Sequence, residues 1–306
     1  MVDLALLCHT DTVPYSRDWA EALQPVRCGT MLHGCGACDV KGFLACLLAA
    51  TEDQDAHWID GLRIVLTADE EIGCVGSKRL IEMDCLRPRR LVAGEPTSLH
   101  VARAGKGYCL ARIAIYGREA HSALPDQGIS AIFGAARLIS ALEELSQQLA
   151  AERHEFFDPA FTTLNVGTIE GGSAKNIIAG RAEILLEWRP VPGASADRVP
   201  MAVRTILKRL EVQYPGLHGS LVILRQQAGF ETAANSQLVR SFERVTERAA
   251  ASIAFGSEAS PWSSVAEDVV VFGPGDMRSA HSDRECVSID ELTIAVQALL
   301  SLMQGH

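Results

Sequence analysis

Histidine and acidic residues follow short apolar runs at several points of the sequence. They are His9 and Asp11 after residues 4–7, Glu70 and Glu71 after residues 62–66, Glu95 after residues 91–93, and His281 after residues 269–272. In open α/β sheets, ligands collect beyond the carboxyl ends of the strands, so these side chains are expected to converge. A further carboxylate, Asp39, stands just before an apolar stretch that reads as a helix.

Carboxylates and imidazoles that share one cleft need a cation, because without it they repel and desolvate one another. One Asp, two Glu and two His exceed the needs of one tetrahedral zinc ion. Two zinc ions about 3.5–4 Å apart can share one carboxylate while each takes one His and one further carboxylate. Of two consecutive Glu residues, one can bind metal while the other holds the attacking water. Each of these residues alone is weak evidence for a metal ligand, but the combination predicts a metal site.

The elements that position these residues form two groups. The first group alternates short apolar strands with helices up to about residue 95, as in a parallel α/β sheet. The second group reads as strand 108–116, helix 129–152, strands 161–169 and 181–188, a helix beginning near Pro200, and strand 221–224. The chain then returns to the first group with helix 237–251, strand 269–272 and helix 290–303.

The β-α-β-β-α-β order of the second group is that of a ferredoxin-like split unit. We therefore predict an α/β domain formed by residues 1–103 and 221–306, interrupted by an inserted α+β domain of residues 104–220. The predicted fold class is α/β.

Composition excludes several classes of protein. The 306 residues carry 28 Lys and Arg against 38 Asp and Glu, a net charge of −10, so phosphate-rich nucleic acid is an unfavourable partner. The longest apolar run, residues 43–50, is far shorter than the roughly 20 residues that span a bilayer. No secretory signal is evident at the start of the sequence. The nine cysteines do not form the pattern of a disulfide framework, which favours reduced thiols, so we expect a cytoplasmic protein. Cys35 and Cys38 have the CxxC spacing of redox motifs, but the neighbouring sequence lacks the other features of such a motif.

Five segments resemble the dizinc amidohydrolase family that contains acetylornithine deacetylase, succinyl-diaminopimelate desuccinylase and related carboxypeptidases. They are residues 9–14 (HTDTVP), 34–42 (GCGACDVKG), 68–71 (ADEE), 94–97 (GEPT) and 273–281 (GPGDMRSAH). The resemblance covers nearly the whole chain and is nearest to the acetylornithine deacetylase branch. It implies a zinc-peptidase-like metal domain with an inserted ferredoxin-like lid or dimerisation domain, and a homodimer.

The resemblance also implies roles for the strand-end residues. Asp39 would bridge two zinc ions, with Co²⁺ as a possible substitute. The remaining metal ligands would be His9 and Glu95 on one ion, and Glu71 and His281 on the other. Asp11 would orient His9, and Glu70 would be the general base.

Three residues of the insert match family segments that contact substrate. His121 is implied to stabilise the developing oxyanion, in its own or the partner subunit, and Asn176 to contact substrate. Arg189 is implied to bind the substrate carboxylate, for which a planar guanidinium is suited. The alternative for Arg189 is an ion pair with Glu187.

The reaction implied is removal of the acetyl group from N2-acetyl-L-ornithine, a step of arginine biosynthesis. Acetylcitrulline, succinyl-diaminopimelate or a dipeptide are alternative substrates, and an inactive metal- or amino-acid-binding homologue is the alternative of another class. Members of this family carry a further segment before the strand that ends at His9. We therefore expect an apolar sheet edge to be left uncovered in this chain.

Overall fold

Strands and helices alternate along the chain in a computed structural model that describes residues 2–52 and 58–305. The strands are β1 (Val2–His9), β2 (Val26–Cys28), β3 (Met31–His33), β4 (Leu62–Thr67), β5 (Pro88–Gly94), β6 (Ala102–Gly105), β7 (Tyr108–Tyr116), β8 (Ala120–His121), β9 (Thr163–Gly171), β10 (Ile177–Ile178), β11 (Arg181–Arg189), β12 (His218–Gln227), β13 (Phe230–Glu231), β14 (Ala251–Ile253), β15 (Asp268–Phe272) and β16 (Cys286–Ser288). The α-helices are α1 (Lys41–Thr51), α2 (Val75–Glu82), α3 (Ala131–Ala150), α4 (Arg198–Gln213), α5 (Gln237–Thr246), α6 (Ala259–Trp262) and α7 (Ile289–Met303).

The chain divides into two units. The first consists of Met1–Gly105 and Phe230–His306, and the second of Lys106–Gly229. The predicted return to the first domain at residue 221 is wrong. Residues 221–227 belong to β12, which is longer than predicted and pairs with β7 inside the second unit.

A mixed sheet, largely parallel, forms the centre of the first unit. Its order is β13-β6-β15-β5-β1-β4, and β14 pairs with β6. The sheet is covered on both sides because successive residues of a strand face opposite ways. Leu4 and Leu6 pack with α1, α5 and α7, whereas Ala5 and Leu7 face a second core that includes Trp262 of α6. The near-continuous apolar runs of β1, β5 and β15 follow from this double burial.

The strand β4 lies at one end of this sheet order and keeps apolar side chains exposed. Ile64 is 37% exposed and Leu66 is 53% exposed. Both lie on the face that carries Leu6 and Cys8 of β1, because β1 and β4 pair in parallel with Leu6 opposite Ile64. This edge is where exposed backbone and apolar surface coincide.

The second unit is built on an antiparallel sheet of order β12-β7-β11-β9. With α3 and α4 it has the predicted β-α-β-β-α-β order. Alternate residues of β11, such as Ile184 and Leu186, are buried in a core with Leu138 of α3 and Leu207 of α4. Ser130 caps α3 by accepting a hydrogen bond from the Phe133 amide at 3.3 Å.

The predicted helix over residues 237–251 is too long. The helix α5 ends at Thr246, because Glu247 adopts a left-handed backbone with φ 53°. The Ala251 amide then donates to the Val101 carbonyl at 2.9 Å, and β14 joins the sheet beside β6. Among the described helices, none combines the length and the apolar character that crossing a membrane requires.

Candidate functional site

Six of the predicted site residues of the first unit stand at strand ends or on loops. His9 is the last residue of β1, and Glu95 directly follows β5. Glu70 and Glu71 come after β4, in a turn where the Gly73 and Cys74 amides donate to the Glu70 carbonyl at 2.8 and 2.9 Å. The remaining two residues lie on loops: Asp39 precedes α1, and His281 lies between β15 and β16.

The structure brings five of these side chains together in two groups. Donor atoms of His9, Asp39 and Glu95 lie within 4.8 Å of one another, as do those of Asp39, Glu71 and His281. Asp39 belongs to both groups. The two triads therefore share one carboxylate, and each contains one imidazole and one further carboxylate.

Asp39 is the centre of this arrangement. Its Oδ1 lies 3.2 Å from His9 Nε2, and its Oδ2 lies 3.0 Å from His281 Nε2. Burial alone would raise the pKa of Asp39, but the hydrogen bonds of His281 and His9 outweigh it and lower the pKa to about 2. Burial likewise opposes protonation of His9, yet the hydrogen bond and charge of Asp39 raise its pKa to about 9. Hydrogen bonds to Asp39 and Glu71 raise the pKa of His281 to about 10.

The other two carboxylates, Glu95 and Glu71, each have a buried group that the surrounding residues do not fully satisfy. Glu95 is 3% exposed, and burial, followed by the charge of Asp39, raises its pKa well above the usual range. Glu71 Oε1 is buried and has no hydrogen-bond partner among the described residues. A buried carboxylate oxygen without a partner is costly, and a cation removes that cost. Nitrogen and oxygen donors of this kind suit zinc, so these residues fit a pair of metal ions.

Asp11 ties the His9 strand end to the turn that carries the two glutamates. Its backbone carbonyl lies 3.1 Å from His9 Nδ1 and can accept the Nδ1 proton, which directs the Nε2 lone pair to the site. Its carboxylate oxygens accept hydrogen bonds from the amides of Glu70 and Glu71, each at 3.2 Å. Asp11 thus orients the imidazole through its main chain and the acidic turn through its side chain.

Glu70 is held apart from the two triads. It is 8% exposed, and burial raises its pKa to about 7, although a hydrogen bond from the Cys74 thiol opposes the rise. The thiol donates to Glu70 Oε1 at 3.1 Å. A carboxylate whose pKa lies near neutrality can both take up and release a proton under ordinary conditions.

Two predicted substrate residues are neighbours in the second unit. His121 in β8 pairs with Ile177 in β10, and the Ser122 amide donates to the Asn176 carbonyl at 2.9 Å. His121 Nδ1 accepts a hydrogen bond from the Ala123 amide at 3.1 Å. In the neutral imidazole the proton is then on Nε2, on a side chain that is exposed.

The structure places Arg189 in the ion pair that the sequence left as its alternative. Arg189 Nε donates to Glu187 Oε1 at 2.9 Å, and both side chains are about 30% exposed (29% and 30%). The guanidinium also lies over the Tyr108 ring, 4.8 Å from its centroid. Arg225 lies over the same ring at 4.5 Å. No motif in the sequence indicated this cluster around Tyr108.

Two further buried carboxylates near the site escaped the sequence analysis. Glu285 is 3% exposed and accepts hydrogen bonds from the loop that carries Asp39. Glu258 is 2% exposed and accepts hydrogen bonds from Thr67 at 2.8 Å and Ser77 at 2.7 Å. Neither follows a strand directly, so the strand-end rule could not find them. Glu285 does stand four positions after His281, a spacing that offered a signal.

All nine cysteines are free thiols. Cys38 is buried, and burial raises the pKa of its thiol. Its sulfur lies 3.6 Å from Ser279 Oγ, and Cys35 is only partly buried. Within residues 2–52 and 58–305, neither thiol belongs to the metal-donor groups.

A family model describing peptidase family M20/M25/M40 matches residues 5–305. The chain belongs to this family. An acetylornithine deacetylase from Myxococcus xanthus is 41% identical over 304 residues, which is 99% of this chain and 80% of that protein. An acetylornithine deacetylase from Aliivibrio fischeri strain MJ11 is 31% identical over 309 residues, which is 99% of this chain and 81% of that protein.

Two solved structures share the fold of this chain. The aminopeptidase PepT from Bacillus cereus has a TM-score of 0.78 at 20% identity, covering 99% of this chain and 80% of that one. The YXEP protein of Bacillus subtilis, described as a dinuclear metal-binding peptidase of the M20 family, has a TM-score of 0.71 at 14% identity, covering 99% of this chain and 81% of that one. The predicted α/β fold class and the family resemblance are thereby confirmed.

Proposed function

We propose that this chain is a dizinc amidohydrolase that removes the acetyl group from N2-acetyl-L-ornithine and releases L-ornithine and acetate, a step of arginine biosynthesis. The observation that carries the proposal is the pair of donor triads that share Asp39. Relatives named acetylornithine deacetylase, up to 41% identical over 99% of the chain, support the choice of substrate. The class of reaction is hydrolysis of a linear amide.

Each triad would hold one metal ion. His9 and Glu95 would bind one ion, Glu71 and His281 the other, and Asp39 both. Zinc is the ion that the donor set favours, and Co²⁺ is a suitable replacement because it accepts the same ligands. When bound, such a pair of ions polarises the acyl carbonyl and lowers the pKa of water toward neutrality.

Glu70 would move the proton in this reaction. Its carboxylate takes a proton from the attacking water as the new C–O bond forms, and passes it to the nitrogen as the C–N bond breaks. Burial raises the pKa of Glu70 in the metal-free protein, and a carboxylate made more basic in this way is a better acceptor for the water proton. The Cys74 thiol, 3.1 Å from Oε1, holds one carboxylate oxygen and leaves the other for the proton.

The residues of the second unit would act on the substrate. His121, of this chain or of a second copy, would donate its Nε2 proton to the developing oxyanion, as its Nδ1 hydrogen bond allows. Asn176 would contact the substrate near His121. Arg189 would bind the substrate carboxylate. Its guanidinium would then donate to the substrate and to Glu187 at the same time, through different N–H groups.

The decisive experiment separates proton transfer from metal binding. Glu70→Gln is expected to lower kcat on N2-acetylornithine by about 10²–10⁴-fold, because the general base is lost. Zinc content is expected to stay at the wild-type level, because the five proposed ligands are intact. Glu82→Gln, at an exposed position of α2, is the matched control and should leave both quantities unchanged. A Glu70→Gln protein with wild-type turnover would remove Glu70 from the mechanism.

The substrate is tested separately, because metal ligands do not discriminate among acyl amino acids. Turnover is measured side by side on N2-acetylornithine, acetylcitrulline, succinyl-diaminopimelate and a dipeptide. The highest kcat/KM is expected for N2-acetylornithine. A preference for the dipeptide would overturn the substrate assignment but leave the metal site in place.

A homodimer through the second unit is part of the proposal, as is a cytoplasmic location, for which the free thiols are the support. Phe133 of α3 is 66% exposed, and Ile169 of β9 is 50% exposed. Ile132 and Ile177, which are 41% and 38% exposed, line one surface cavity together with Phe133, and contiguous exposed apolar side chains mark surfaces for association. Phe133→Glu is expected to halve the mass measured by light scattering. A wild-type protein that is already monomeric would contradict the dimer.

A further inference from the structure

Glu285 makes an unusual set of contacts with the loop that carries Asp39. Its Oε1 accepts hydrogen bonds from the amides of Cys38 and Asp39, both at 3.0 Å. Its Oε2 accepts one from the Gly36 amide at 3.1 Å. The side chain is 3% exposed. One buried carboxylate is thus bonded to three amides within four consecutive residues.

Among the described hydrogen bonds, Glu285 is the acceptor for the Cys38 and Asp39 amides. The helix α1 that follows it begins at Lys41, and its N-cap residue, Val40, offers no capping side chain. Within the loop, the Lys41 amide donates to the Gly36 carbonyl at 2.8 Å. A buried backbone amide needs an acceptor, and Glu285 supplies one to the three loop amides from a distant part of the sequence.

The same residue also fixes the loop that carries His281. The Glu285 amide donates to the Ser282 carbonyl at 3.1 Å, and the Glu285 carbonyl accepts from the Gly34 amide at 3.2 Å. The main chain and the side chain of Glu285 therefore connect the Asp39 loop with the His281 loop. Because Asp39 and His281 meet at 3.0 Å, a shift of either loop would separate them.

We propose that Glu285 is a positioning residue that sets the backbone of the shared ligand Asp39, so that one carboxylate can serve both metal ions. The inference rests on the proposed metal pair and extends it to a residue that need not touch metal, substrate or the reacting atoms. A carboxylate that accepts three amide hydrogen bonds is a strong anchor, because charged acceptors form the stronger hydrogen bonds. Such outer partners of ligands typically change metal affinity by about 10–100-fold when they are removed.

The test measures metal binding directly. Wild-type, Glu285→Gln and Glu285→Ala proteins are stripped with EDTA and titrated with Co²⁺, and the visible absorption of the bound ion is recorded. The wild type is expected to bind two equivalents. Glu285→Ala is expected to bind at least one of them about 10–100-fold more weakly and with an altered spectrum. Glu285→Gln keeps one oxygen acceptor, so its Co²⁺ affinity should lie between those of the wild type and Glu285→Ala.

A matched control separates positioning from simple stabilisation. Glu243 in α5 also accepts a backbone hydrogen bond, from the Ala250 amide at 2.8 Å, but does not contact the Asp39 loop. Glu243→Gln is expected to alter thermal stability at most and to leave Co²⁺ affinity and spectrum unchanged. If Glu285→Ala fails to fold, Glu285→Gln decides the question.

The outcomes distinguish this inference from the proposed function. A wild-type protein that binds no pair of Co²⁺ ions would overturn the proposed metal site itself. If the wild type binds two ions and Glu285→Gln, or a folded Glu285→Ala, binds them with wild-type affinity and spectrum, only the positioning role is wrong. Weakened binding in the Glu285 variants with normal binding in Glu243→Gln supports it.

Discussion

Removal of metal is expected to make the stability of the first unit fall as the pH rises, with His9 as a main cause. In the metal-free protein the pKa of His9 is raised from 6.5 to about 9 by Asp39. A raised imidazole pKa stabilises the fold fully below the unfolded value of 6.5, and the contribution disappears as the pH passes 9. The shift corresponds to about 3 kcal/mol. His281 acts in the same direction, but it is half exposed, so solvent screens its contribution.

Two buried carboxylates contribute over a lower pH range, Glu70 in the same direction as His9 and Asp39 in the opposite one. The pKa of Glu70 is raised from 4.5 to about 7, so its ionisation in the folded state opposes folding between those values. Asp39 has the opposite sign, because its lowered pKa stabilises the fold above 3.8, and that contribution disappears as the pH falls toward 2. Above pH 6.5 the two imidazoles therefore dominate the pH dependence of the free energy of unfolding.

Urea unfolding in EDTA at pH 6 and pH 9.5 measures the effect. The wild type is expected to lose about 3 kcal/mol more between these pH values than His9→Gln, whose amide does not titrate. With saturating zinc the free energy of unfolding is expected to rise with pH instead of falling. Imidazole ligands must be neutral to bind zinc, so zinc binding strengthens as the pH rises. Equal pH dependence of wild type and His9→Gln in EDTA would refute the assignment of charge to this imidazole.

Three further predictions concern the packing around Gly94, the exposed edge at β4 and the dependence of hydrolysis on metal. Gly94→Ala is expected to cost about 1–3 kcal/mol in urea unfolding, because a Cβ there would overlap the Phe43 ring, whereas Gly167→Ala has room and should be nearly neutral. Replacing Ile64 and Leu66 by Lys is expected to reduce aggregation, measured by light scattering, without changing zinc content. EDTA is expected to abolish hydrolysis and zinc to restore it. Absence of hydrolysis by the zinc-loaded protein would favour a binding protein over an enzyme.

The strand-end residues could be predicted from sequence because the signal is local. A buried strand reads as an apolar run, and a polar residue directly after it must lie at the edge of the sheet. His9 and Glu95 follow β1 and β5 in this way. The long strands and helices were predicted for the same reason, since their apolar periodicity is a property of neighbouring residues.

The contacts made at long range could not be predicted. Glu285 bonds to the Asp39 amide across 246 positions, and nothing in either segment marks the partner. The short strands β2, β3 and β16 have three residues each, too few for a periodic pattern. The pairing of Arg189 with Glu187 was open because a guanidinium serves a neighbouring carboxylate and a ligand carboxylate equally well.

The position of β15 imposes an order of events during synthesis. This strand lies between β6 and β5 in the sheet of the first unit, although it comes from residues 268–272. The second unit is one continuous segment, Lys106–Gly229, so it can complete its own sheet while β5 still lacks its neighbour. Domains of a nascent chain generally fold as units as they emerge from the ribosome. The β5 edge of the partly formed sheet therefore stays open until residues 268–272 have been made, and an open strand edge is a site at which chains can aggregate.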